Sequence, residues 1–392
     1  MEEKMKQKSI ERTFVLVKIL QNIGGAWTFS TYVLFLVGAN LSLFQVNMLN
    51  LIYMSTATVL DPFTGNLGDR IGQKKIYMFG LFFWGIGMLV YGSSGLFWIF
   101  ALAEGIAAIG HALMSEALES WLRNHTNEET THKALSSSEY LAKLATIPTA
   151  VLGGFVGARW GLQIPWILAG VTSIAALLIT WWQLRRFPEK EETVEIALPN
   201  ELNLWLITKN AWREPILRRS FIAVALITST FQPFNMFWSV IFKEVSGKSE
   251  WLGFLWMGIA LASALGSYLA KKWKISSRGL ALIIASIGIP MLLPLFAGKN
   301  WILFILVPFL FHEIGRSTWG PVLFSYTNRK IESKVRTSVN SLRSSAGTFG
   351  AAIGLLVSGI LTKWLSPITV WSISAVILIF VALWVRGWNH EK

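Results

Sequence analysis

The chain has 392 residues, of which 53% are hydrophobic and only 15% charged, and it carries a net charge of +13. A soluble domain carries about 25% charged residues, so this composition excludes a soluble globular protein and points to a polytopic membrane protein. The sequence has no cysteine, which excludes disulfides and thiolate metal sites. Its basic residues are scattered between apolar runs, the pattern of positive-inside topology and not of nucleic-acid binding.

Taken in order, Met1 to Thr13 is a short charged tail. No cleavage site follows the first apolar run, so the tail reads as mature sequence. A spanning helix needs about 20 apolar residues, and about twelve such runs follow. Their approximate bounds are 13–37, 43–66, 76–93, 96–122, 136–158, 164–185, 217–243, 250–271, 278–296, 301–325, 337–363 and 367–387. Links on one side are short, such as Ser94-Gly95, and hold few bases: Arg159, Lys243, Lys248, Lys299 and Lys363. Lys18, Lys143, Arg316 and Arg343 fall inside spans. The remaining bases share a side with both termini, so the termini are expected to be cytoplasmic.

The predicted organisation is an all-α membrane protein of twelve transmembrane helices in two pseudo-symmetric six-helix bundles. Residues 1–185 form the first bundle, 186–216 a cytoplasmic linker with an amphipathic helix, and 217–392 the second bundle. The linker holds Glu189, Lys190, Glu191, Glu192 and Glu195, then Trp205, Leu206, Ile207 and Trp212. Lys133 to Ser138 opens span 5, and the related Arg336 to Ser341 opens span 11. Internal repeats of this kind are a transporter architecture.

Between spans 2 and 3 lies Gly65-Asn66-Leu67-Gly68-Asp69-Arg70-Ile71-Gly72-Gln73-Lys74-Lys75. It reads as a charged, glycine-punctuated hinge that cannot lie in hydrocarbon. Gly65, Leu67, Asp69, Arg70, Gly72, Lys74 and Lys75 resemble the span 2–3 signature of the major facilitator superfamily. Asp61-Pro62-Phe63-Thr64-Gly65 resembles the lead-in of many bacterial efflux members. The resemblance implies a secondary carrier working by alternating access, with Asp69 as a conformational latch against the start of span 11. The second half has Ala270 where the first has Asp69. The reading is proton-coupled efflux of amphipathic small molecules. The alternatives are a proton-coupled carrier of one specific metabolite, and a non-transporting sensor on the same fold.

The ionisable residues within spans are the candidates for ion coupling, because such groups are costly in a membrane. Span 4 places Glu104, His111 and Glu119 on one stripe, with Glu116 about 120° away from it. Proton coupling and plain interhelical hydrogen bonding both suit Glu104 and His111. Glu116 and Glu119 suit ion pairs with Arg70 or a neighbouring base. Many drug antiporters of the resembled family carry arginine where this chain has Glu104, so the charge is reversed. Their span 5 signature is matched only loosely by Pro148 to Gly154, and the glycines there read as close helix packing. Glu139 and Lys143 stand one turn apart and can neutralise each other.

Span 10 carries His312, Glu313 and Arg316, read as a Glu–Arg pair or as an exchange site for a proton or cation. Asp61 joins the coupling candidates. By resemblance spans 1 and 7 line a cavity, which nominates Gln21, Asn22, Trp27, Tyr32, Gln232, Asn235 and Trp238 for substrate contact. Arg343 is a cytoplasmic gate candidate with Glu116, Glu119, Glu139 and Lys143. Trp160, Trp251, Trp301 and Trp364 flank spans and read as interface anchors. No phosphate-binding loop, metal-ligand spacing or nucleophile motif occurs. The chain is read as a monomeric non-enzyme with no cofactor and no metal. Its expected partners are a small-molecule substrate, protons and the bilayer, with the proton gradient as energy source.

Overall fold

The structure, a computed structural model, describes residues 2–187, 204–273, 276–296, 302–329, 331 and 336–390. Every regular element among them is helical. In chain order they are α1 (Glu2–Ala26), α2 (Tyr32–Gly38), α3 (Leu43–Ile71), α4 (Gln73–Gly92) and α5 (Phe97–Met114). α6 (Ala117–His125), α7 (Glu128–Trp160), α8 (Ile164–Leu184), α9 (Leu204–Arg213) and α10 (Pro215–Ser246) follow. The chain closes with α11 (Trp251–Lys272), α12 (Ser277–Gly288), α13 (Leu303–Asn328), α14 (Arg336–Leu361) and α15 (Pro367–Arg386). A 3-10 segment, Ile289–Phe296, continues α12.

Ten of these helical stretches are long and apolar enough to cross a membrane. The other two of the twelve runs fall short for physical reasons. The first is not one helix: α1 stops at Ala26 and α2 starts at Tyr32. Between them the backbone makes i→i−3 bonds, from Thr28 to Gly25 and from Thr31 to Thr28. Hydroxyls compete with the helical ladder here: Thr28 Oγ1 donates to the Gly25 carbonyl at 3.1 Å, and Ser30 Oγ to that of Ala150 at 2.9 Å. The second is α13, which carries His312, Glu313, Arg316 and two prolines.

Span 4 is also divided. α5 ends at Met114 and α6 begins at Ala117, with Ser115 Oγ bonded back to the Ala112 carbonyl at 2.9 Å. The 3-10 segment contains Pro290 and Pro294, which lack the N–H that an α-helical ladder needs.

The hinge reading of residues 65–75 is corrected. α3 remains helical through Gly65, Gly68 and Asp69 to Ile71, and α4 starts at Gln73. The break is Gly72 alone, with φ of 98°, a conformation that glycine adopts without a Cβ penalty. The helix-start signals are ordinary. Ser42 and Gln45 form a reciprocal capping box, and the Asn127 side chain accepts from Thr130 N at 2.8 Å.

The chain divides into two compact units. One is Met1–Ile196 with Lys248–Met257. In it α4 packs on α5 and α8, α1 on α7, and α3 on α5. The other is Ala197–Gly247 with Gly258–Lys392, where α10 packs on α14 and α15, and α12 on α13 and α15. Small residues set the close crossings. A Cβ on Gly153 of α7 would strike the Trp27 backbone, and one on Gly350 of α14 would strike that of Ala225. Large apolar side chains meanwhile stay exposed along the helices, including Phe79, Leu102, Leu178 and Phe380, as a lipid-facing surface requires. Trp160, Trp251 and Trp364 are more than half exposed. Residue 301 and the expected linker stretch 188–203 lie outside the described residues.

Candidate functional site

The first unit holds a built polar site around Glu104, two turns into α5. The carboxylate is 5% exposed. The interruption between α1 and α2 delivers Tyr32, whose hydroxyl donates to Glu104 Oε1 at 2.8 Å. Tyr91, at the end of α4, donates to the same oxygen. Asn50 of α3 donates to the Tyr32 hydroxyl at 3.4 Å. Trp166 of α8 stacks on Tyr91 with 4.0 Å between centroids and fixes that ring. Glu104 has no basic partner among the described residues. Burial of an unpaired carboxylate is costly unless hydrogen bonds compensate. Here two hydroxyls compensate on Oε1, and Glu104 also lines an adjoining cavity of about 240 Å³. Phe29, Tyr32, Tyr53, Trp84, Tyr91 and Trp166 line that cavity.

The second unit holds a different arrangement on α13. Glu313, 4% exposed, pairs with Arg316 at 3.3 Å. The guanidinium also donates to Asn235 Oδ1 of α10 at 2.6 Å and lies 4.9 Å over the Phe231 ring. His312 is fully buried, and its Nδ1 donates to the Ile287 carbonyl at 3.1 Å. A carbonyl only accepts, so the proton sits on Nδ1. Phe309 lies parallel to both His312 and Trp371, and Trp371 is anchored through Nε1 to the Pro233 carbonyl at 2.9 Å. This is a neutralised pair in an aromatic box.

A second cavity in this unit, about 510 Å³, is lined by Trp319, Phe324, Asn340 and Arg343 among others. Arg343 donates to Thr327 Oγ1 at 3.0 Å and stacks on Phe324. Gln232 bonds the Thr228 carbonyl at 3.2 Å and accepts from Asn235 at 3.4 Å, while Trp238 is buried.

The remaining candidates scatter. Gln21 accepts from the Tyr77 hydroxyl at 2.9 Å, and Asn22 donates to the Lys18 carbonyl at 2.8 Å. Trp27 lies in the turn that separates α1 from α2. His111 is exposed, near the Tyr53 and Trp84 rings. Glu119 pairs with Lys18 and Arg123, each at 3.7 Å, and not with Arg70, whereas Glu116 is an exposed residue preceding α6. Glu139 and Lys143 pair at 2.9 Å on an exposed face. Lys74 donates to the Phe187 carbonyl. Asp61, Arg70 and Lys75 are exposed. The side chains of Asn66 and Asp69 lie outside the described positions. Among the described residues no cluster of His, Asp and Glu could hold a metal ion.

Sequence reasoning missed Asn50, Tyr53, Trp84, Tyr91 and Trp166 at the Glu104 site. Tyr91 and Trp166 sit at span ends, where aromatics read as interface anchors. Their one available signal is that both ends lie on the same side of the bundle as Tyr32 and Glu104.

Known proteins resemble this chain along most of its length. The Major Facilitator Superfamily model matches residues 15–339. A Bacillus subtilis (strain 168) protein named as a niacin/nicotinamide transporter, NiaP, is 23% identical over 335 residues, which is 81% of this chain and 80% of that one. Multidrug resistance protein 2 of the same organism is 22% identical over 139 residues, 36% of this chain and 34% of that protein. The crystal structure of the nucleoside transporter NupG superposes with a TM-score of 0.79 at 11% identity, covering 98% of this chain and 100% of that one. The helical membrane fold, the span 2–3 signature and the extent of the family match lead to one conclusion: this chain is a multi-pass membrane transporter, not an enzyme, and belongs to the Major Facilitator Superfamily.

Proposed function

We propose that this transporter is a monomeric, proton-coupled carrier of small amphipathic organic molecules, working by alternating access in the direction of export, with both termini cytoplasmic. The observation that carries the reading is Glu104. A buried carboxylate with two hydroxyl donors and no basic partner among the described residues can take up and release a proton without first breaking an ion pair. Glu313 lacks that freedom, because Arg316 already neutralises it. An intramembrane ionisable group is functional by default. Export is supported by the lead-in at Asp61 and by the likeness to a multidrug resistance protein. The charged segment 65–75 serves in this reading as a conformational latch.

A second reading is a carrier of one specific metabolite. The likeness to NiaP spans more of the chain than the likeness to the multidrug protein. The Glu104 cavity, at about 240 Å³, is also smaller than the roughly 300–1,000 Å³ of drug-sized pockets.

The test is flux in liposomes under an imposed proton gradient, against a panel of amphipathic drugs and small heteroaromatic metabolites. Gradient-driven movement of several drugs supports export of amphipaths. Movement of a single metabolite supports the second reading. Flux indifferent to the gradient contradicts proton coupling. Asp69→Asn is expected to slow transport with membrane insertion unchanged, and a fully active variant removes the latch.

A further inference from the structure

We propose that the Glu104 pocket is a binding site for a small organic monocation carrying one aromatic ring or a group of that size. The inference rests on the reading of Glu104 as the working carboxylate and names the cargo class that it implies.

Three observations converge. The first is charge. Glu104 is the one charged residue lining the cavity among the described residues, and both tyrosine hydroxyls bond the same carboxylate oxygen, Oε1. A ligand with a positive N–H or N–alkyl group completes that shell, and an anion meets an uncompensated negative charge.

The second is the wall. Aromatic rings surround the space, with Tyr91, Trp166 and Tyr32 on the carboxylate side and Tyr53 and Trp84 in edge contact at 6.4 Å. Ring faces attract organic cations, most strongly when both are out of water. A bare metal cation is a poor fit, since hard cations need six or more oxygen ligands and this cavity offers chiefly rings.

The third is size and rigidity. The cavity measures about 240 Å³, room for a single ring. Its shape is held by the stack of Trp166 on Tyr91, and of Tyr91 on Phe100 at 5.2 Å. Such a preorganised box spends little on ordering when it binds.

The experiment is calorimetric titration of the purified full chain with benzylammonium, its neutral counterpart benzyl alcohol, and benzoate. Wild type is expected to bind benzylammonium at least tenfold tighter than benzyl alcohol and to show no binding of benzoate. Glu104→Gln is expected to remove that preference. Equal affinity for the cation and the alcohol in wild type overturns the proposal, as does a preference that survives Glu104→Gln. If Glu104→Gln does not fold, Tyr53→Ala removes a lining ring at a half-buried position. It must weaken benzylammonium at least threefold, and unchanged affinity overturns the site.

Proton-driven flux in the same wild-type preparation separates this proposal from the transport reading. Coupled flux without the cation preference overturns the cation site alone. A cation preference without coupled flux supports the site and overturns the coupling.

Discussion

The two units each bury a glutamate, and they satisfy it in opposite ways. In the second unit Glu313 is met by Arg316, which is in turn held by Asn235 and Phe231. In the first unit Glu104 is met only by the hydroxyls of Tyr32 and Tyr91. A buried ion pair is a closed arrangement: removal of either partner strands the other, while the intact pair has little reason to change state. A carboxylate held by neutral donors is open, because gaining or losing a proton leaves no uncompensated partner behind. In the proposed function Glu313 is therefore architectural and Glu104 is the working carboxylate.

The largest expected effect breaks the closed site. Arg316→Leu leaves Glu313 buried without its guanidinium partner, with only His312 Nε2 at 4.0 Å, and is expected to destabilise the protein by about 3–5 kcal/mol. Thermal unfolding in detergent measures it, and the double variant Glu313→Gln with Arg316→Leu recovers much of the loss. Overpacking a helix crossing comes next. Gly350→Ala drives a Cβ into the Ala225 backbone and is expected to cost about 1–3 kcal/mol in the same assay. Tyr91→Phe removes one of the two donors to Glu104, a charge-assisted bond worth about 1.5–3 kcal/mol. Its cost falls at the low end, because Tyr32 keeps the oxygen satisfied. The smallest effect belongs to Lys143→Ala. Its pair with Glu139 has both side chains more than two-thirds exposed, so the change in stability stays within about 0.5 kcal/mol.

The sequence carried the helical class and most of the spans, because long apolar runs interrupted by charge admit few other readings. It also singled out both buried glutamates, since an acid inside an apolar run stands out. The interruption at residues 27–31 was invisible in that string. Threonine and serine are common in membrane helices, and the interruption coincides with a tertiary bond from Ser30 to the Ala150 carbonyl of α7 that no local pattern announces. The opposite error occurred at residues 65–72. Three glycines and a charge cluster suggested a loop, yet α3 continues through all but Gly72. Glycine permits a turn without compelling one. Tyr91 and Trp166 were missed for a related reason: a span-end aromatic suits an interface and a pocket equally, and only packing decides.

Proton-gradient-driven flux in liposomes tests the role of Glu104 as an open carboxylate most directly. Wild type and Glu104→Gln, reconstituted in equal amount, are compared with and without the gradient. The gradient is expected to drive flux in wild type and to have no effect in Glu104→Gln, although the variant folds and inserts. Equal gradient dependence in the two proteins would contradict the account.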